Sequence, residues 1–158
     1  MHSRIFQISK EPIHKCDYIE ESYYWDHWFV GSVADYVNGY TDRNDDIKWL
    51  KDCYEERGLS FGMDDNGEYL IVVDKTKYFA GKFEAFKKAL KELSEATHND
   101  FTSGECGYIL YNLKSAYCDK FGFYVEMKDD DTIEFDSFIR LAEIGDKYYI
   151  GATIDYHY

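Results

Sequence analysis

The sequence predicts one α+β domain spanning residues 1–158, with antiparallel hairpins packed against two to four helices. Three observations support this. An amphipathic helix and two hairpins follow one another in a chain of 158 residues that is 45% hydrophobic and 19% aromatic, enough to bury a sizeable core. The single proline, Pro12, and the lack of any Ser/Gly/Pro-rich stretch leave no linker at which to divide it.

Taken in order, Arg4 to Ser9 reads as a short strand. Asp45 to Arg57 reads as a helix, with Ile47, Leu50 and Tyr54 on one face, Asn44 or Asp45 as cap and Gly58 just past the end. Leu59 to Met63 and Glu68 to Val73 flank Asp64-Asp65-Asn66-Gly67, where Asn-Gly supplies the positive φ angles of a tight turn. Next, Phe83, Phe86, Ala89, Leu90 and Leu93 recur at helical spacing as one apolar stripe, with Lys82, Lys87, Lys88 and Lys91 off it. Cys106, Ile109, Leu110, Leu113 and Tyr117 mark a further helix, opened near Thr102 or Ser103. Phe123 to Met127 and Thr132 to Phe135 form a second hairpin across Asp129-Asp130-Asp131, and Tyr148 to Asp155 is a closing strand. Ser137 to Glu143 fits either a helical turn or a continued strand.

Charge separates the chain into parts. The formal net is -13, from 31 Asp plus Glu against 18 Lys plus Arg. Residues 1–74 hold 16 acids and 7 bases, and residues 98–158 hold 12 acids and 5 bases. Residues 75–97 alone are basic, with 6 lysines against 3 acids. A direct nucleic-acid patch on those lysines has to overcome the repulsive field of the rest, so a solvated helix face is the simpler reading and no direct nucleic-acid partner is expected.

Chemistry-bearing motifs are scarce. None of the five histidines sits in H-E-x-x-H, and no G-x-S-x-G, P-loop or dinucleotide-binding fingerprint occurs. His14 and Cys16 form an H-x-C pair that Cys53, Cys106, Cys118, His27 or His98 could complete into a tetrahedral zinc site by tertiary contact, but no C-x-x-C supports it. A Cys53–His27 nucleophile pair can be drawn, as chance allows with four Cys and five His. The expected cofactor is none, and the expected thiols are reduced, in a cytoplasmic chain without a signal h-region or a run of the roughly 20 apolar residues a membrane span needs.

The least ordinary stretch is Asp17 to Tyr40. Tyr18, Tyr23, Tyr24, Trp25, Trp28, Phe29, Tyr36 and Tyr40 are interleaved there with five carboxylates and no Lys or Arg. Aromatic rings supply contact area at small entropic cost, and carboxylates accept bidentate bonds from arginine. Further acids cluster at Asp42, Asp45 and Asp46 and at Asp129, Asp130 and Asp131. Duplex DNA carries one charge per roughly 1.7 Å of axis, so rows of carboxylates can compete for the same basic groove. Such a DNA mimic draws its charge here from Glu20, Glu21, Asp26, Asp45, Asp46, Asp129, Asp130 and Asp131, and its anchoring area from Tyr23, Tyr24 and Trp28.

In composition, small size and missing catalytic motifs, the chain resembles the small acidic proteins with which phages and mobile elements block host defence, of the anti-CRISPR and antirestriction type. It also resembles acidic immunity proteins that neutralise nuclease toxins. The resemblance implies a non-enzymatic inhibitor whose partner is a basic nucleic-acid-handling protein such as a nuclease. Alternatives are an immunity or antitoxin protein, and a small metal-binding or thiol enzyme.

Overall fold

A computed structural model describes residues 1–127 and 131–158. It is an α+β domain built on a mixed sheet of seven strands among the described residues: β1 His2–Ser9, β2 Tyr36–Asn38, β3 Leu59–Asp64, β4 Gly67–Val72, β5 Tyr124–Met127, β6 Asp131–Glu134 and β7 Lys147–His157. The helices are α1 Arg43–Tyr54, α2 Lys75–Ser94, α3 His98–Ser103, α4 Glu105–Tyr117 and α5 Phe135–Leu141, with 3-10 turns at Lys15–Asp17, Glu21–Tyr24 and Glu55–Arg57.

The last strand is the central one. β7 pairs antiparallel with β1 along one edge, and its other edge is shared by β4 near the start and β2 near the end. β1 also pairs with β5, in parallel, and the hairpins β3–β4 and β5–β6 extend the sheet on either side. The parallel pairing was not foreseen, because β1 and β5 are separated by more than a hundred residues and nothing local marks them as partners.

Both faces of the sheet are covered, and adjacent residues divide between them because side chains alternate along a strand. Phe6, Ile8, Val125, Tyr148 and Ile150 join Leu50 of α1, Tyr78 of α2 and Phe138 and Ile139 of α5 in one core. Ile5, Tyr124, Ile154 and Tyr156 join Tyr24, Phe29 and Ala34 in a second core. The residues in β7 share even numbers yet point to both faces. A bulge resolves this: Phe6 opposes Thr153 but Ile8 opposes Ile150, so Gln7 faces both Gly151 and Ala152 and the alternation resets. A Cβ on Gly151 would lie 2.6 Å from Gln7 Oε1, which is why the position is glycine. Gln7 Oε1 accepts from the Ala152 and Ile19 amides, while Gln7 Nε2 donates to the Asp17 carbonyl.

Between β4 and β2 the edge of β7 has no strand beside it. There Arg43 donates to the carbonyls of Gly151 (2.6 Å) and Ile150 (2.7 Å), and Thr41 Oγ1 lies 3.2 Å from that of Thr153. Side chains complete the ladder.

Local signals were read with mixed success. α1 begins two residues earlier than the sequence suggests because Asp42 is the cap, accepting from the Asn44 and Asp45 amides. It runs on into the 3-10 turn Glu55–Arg57, which stops at Gly58, whose φ of 94° places it in the left-handed region. The Asn66-Gly67 hairpin stands as predicted. α3 is an unpredicted separate turn of helix, opened by a capping box of Thr97 and Asp100 and closed by Gly104. The segment left open after the second hairpin is helical, and Phe135 starts α5 rather than ending β6. The turn assigned to Asp129-Asp130-Asp131 falls largely outside the described residues.

Candidate functional site

The segment from residue 19 to residue 37 folds over the second core, and α1, which follows it, packs on the first. Phe29 anchors it, buried edge-on against Tyr124 at 4.7 Å and Tyr156 at 5.2 Å. Tyr24 is fully buried, and its hydroxyl donates to Glu126 at 3.0 Å. Tyr23 donates to the other Glu126 oxygen at 2.9 Å, and Thr132 donates to the same carboxylate. Burial, reinforced by the neighbouring Glu126 charge, raises the Tyr24 phenol far above its usual range, so it stays a donor at any ordinary pH. Three hydroxyls on one buried carboxylate satisfy a charge that would otherwise be costly there. Glu126, Tyr23 and Gln7 also line a cavity of about 360 Å³ beside Pro12 and Ile13.

The structure therefore gives two of the proposed anchors a different job. Tyr24 has no surface to offer a partner, and Tyr23 is half-buried with its hydroxyl turned to Glu126. Asp46 is likewise buried, 2.6 Å from Arg4 Nε. Arg4 also pairs with Asp155, which accepts from His2 at 2.8 Å, and Arg4 lies over the Trp49 ring. One arginine thus bridges two buried carboxylates at the end of the sheet. His157 continues the network, edge-on to His2 and stacked flat on Tyr36 at 5.0 Å.

Five of the other residues reach water. Glu20, Asp26, Trp28 and Asp45 are exposed, and Glu21 is half-buried, accepting from the Gly39 amide at 2.8 Å. That bond draws the Glu21–Tyr24 turn beside Tyr40. Asp129 and Asp130 lie outside the described residues, and Asp131 is the first residue of β6.

Four exposed rings were missed as anchors: Trp25 is 71% exposed, Tyr40 93%, Tyr36 48% and Trp49 40%, beside 53% for Trp28. The sequence did hold a signal for one of them. Trp49 sits one turn after Asp45 and off the Ile47, Leu50 and Tyr54 face of α1, so helical spacing points it outward. Trp25, Tyr36 and Tyr40 belong to the acid-interleaved stretch, but no spacing told exposed rings from buried ones there, because their backbone is irregular or a strand of three residues. Asp35 and Asp42 are also exposed. Trp28 lies beside Phe29 on the second-core face, whereas Trp49 lies edge-on to Phe123 on the first-core face.

Metal and thiol chemistry find no assembled site among the described residues. No three His, Cys, Asp or Glu side chains cluster as metal ligands, and His14 and Cys16 are both exposed. Cys53 packs against the first core whereas His27 stacks near Tyr23 and Tyr24 on the opposite face, so the sheet separates them. Burial pushes the Cys53 and Cys118 thiols up, away from the reactive thiolate. No described helix is long and apolar enough to cross a membrane.

No known protein family, curated protein or solved structure matches the chain.

Proposed function

We propose that this chain is a non-enzymatic binding protein whose acidic, ring-bearing end engages a basic protein surface of the kind that handles nucleic acid, acting there as an inhibitor by occupying the groove. The supporting observation is the exposure of Trp25, Trp28, Tyr36, Tyr40 and Trp49 among Glu20, Asp26, Asp35, Asp42 and Asp45, in a chain whose core is already filled by other aromatics. Exposed aromatics gathered beside one sign of charge mark interaction sites, where rings anchor and charges steer. The polar network of Arg4, Asp46, Asp155 and His2 holds Trp49 through Arg4 and Tyr36 through His157, which lowers the ordering cost of binding at those two rings.

Salt dependence tests this. The immobilised chain is exposed to an extract of its native host at about 50 mM salt and eluted on a gradient to about 0.5 M, where screening shortens to a few Å. Basic nucleic-acid-binding proteins elute with salt, and a variant carrying Glu20→Gln, Asp26→Asn, Asp35→Asn and Asp45→Asn retains far less of them. Capture that is indifferent to salt and to these four charges contradicts the proposal.

A further inference from the structure

The helical arm carries a second surface of opposite character. α2 and α4 pack antiparallel, with Phe86 6.4 Å from Tyr117 and the first half of α2 beside the last turn of α4. At 100° per residue, Phe79, Phe86, Ala89 and Leu93 face α4, and Ile109, Leu113 and Ala116 face α2. Phe83 and Leu90 lie to one side of that seam, and Leu110 and Tyr117 lie to the same side of theirs. All four are about half exposed. At the Phe83–Tyr117 end of this flank a groove of about 290 Å³ opens, with walls that include Phe83, Phe86, Ala116 and Tyr117, and Leu90 and Leu110 continue the apolar strip beyond it.

Its rim is cationic. Lys87 of α2 and Lys114 of α4 fall outboard on this flank; Lys91, further round and beside Glu84, pairs with Glu95 at 3.8 Å. Lys87 lies over the Phe83 ring, and Arg140 of α5 lies over Phe79 and Tyr117 at 4.6 and 4.2 Å. In a molecule of net charge -13, Lys87, Lys114 and Arg140 beside one apolar groove are a local inversion. The four half-exposed side chains present about 400 Å² at roughly 150–250 Å² for each large residue, the size at which apolar patches are often functional.

We infer that this groove docks an amphipathic helix of a partner protein, apolar on one face and acidic on its flanks. The antiparallel pair offers a third helix a ready hydrophobic seam, and anchors at i, i+3, i+4 and i+7 fit such a groove. The charge excludes a second copy of the arm, which would bring lysine rim against lysine rim. This surface is independent of the acidic end.

The probe is a fluorescein-labelled peptide, roughly 18 residues long, with leucine at every third or fourth position and glutamate on both flanks. The whole-molecule field repels it, so saturable binding requires the local attraction of the seam and its cations. Anisotropy should show binding that Leu90→Glu abolishes and that Lys87→Glu with Lys114→Glu weakens about tenfold or more, in variants whose circular dichroism is unchanged. An unlabelled lysine-flanked peptide should compete poorly. No binding at about 1 mM, binding indifferent to both variants, or equal competition by the lysine-flanked peptide overturns the inference. So does a dimer in sedimentation that Leu90→Glu splits, since the occupant is then this chain itself.

Discussion

The acidic end and the helical arm both leave large side chains in water, but they rest on different foundations. At the acidic end Trp25, Trp28 and Tyr40 stand on irregular backbone, Tyr36 on a three-residue strand and Trp49 on α1, and the region is pinned to the sheet by buried charge pairs, hydroxyl bonds to Glu126 and the Tyr36–His157 stack. On the arm they stand on regular helices that touch the sheet side mainly through the first turns of α2, where Tyr78 and Lys82 bond Asp136. Exposure at the first site is imposed by a stiff base, and at the second by a shortage of neighbours.

The largest expected effect is at the base of the acidic end. Arg4→Ala leaves Asp46 and Asp155 buried without their shared cation, which should cost about 3–5 kcal/mol in a urea titration. A loss under about 1 kcal/mol would mean that water, not arginine, satisfies them and that the end is softer than its geometry implies. Asp136→Ala should cost less, about 1–3 kcal/mol, from the unpaired Tyr78 hydroxyl. Native-state hydrogen exchange sharpens the contrast: amides of α2 and α4 should speed up while those of β1 and β7 hold. Equal acceleration in both would make arm and sheet one cooperative unit.

A smaller effect concerns pH. The hydrogen bond from Arg43 holds the Glu68 carboxyl below its ordinary 4.5. A depressed carboxylate stabilises the fold above that unfolded value, and the contribution is lost as pH falls through the folded one. Between about pH 6 and about pH 3 the urea midpoint of the parent should therefore drop more than that of Glu68→Gln. Parallel drops would show that Arg43 is held by the β7 carbonyls alone.

What the sequence disclosed follows the range of the interactions. The apolar stripe of α2, the Asn66-Gly67 turn and the Gly58 stop are local signals, and each stands in the structure. The β1–β5 pairing, the bulge at Gly151 and the edge closed by Arg43 join residues far apart in the chain, so no local pattern announces them. The same divide runs through the site. Glu20, Asp26 and Trp28 lie on the surface as charge and size suggest, whereas Tyr24 and Asp46 are buried because Glu126 and Arg4 reach them from other strands. Tyrosine is ambiguous by chemistry, since its ring favours the core and its hydroxyl tolerates either place once it finds a partner.

The decisive measurement is a triple variant, Trp25→Ala, Trp28→Ala and Tyr40→Ala, assayed for both urea stability and capture of the basic host protein. If the rings serve a partner and not the fold, the unfolding free energy stays within about 0.5 kcal/mol of the parent while capture is lost. A variant that unfolds readily, or one that still captures its partner undiminished, would contradict the assignment of this end as the binding surface.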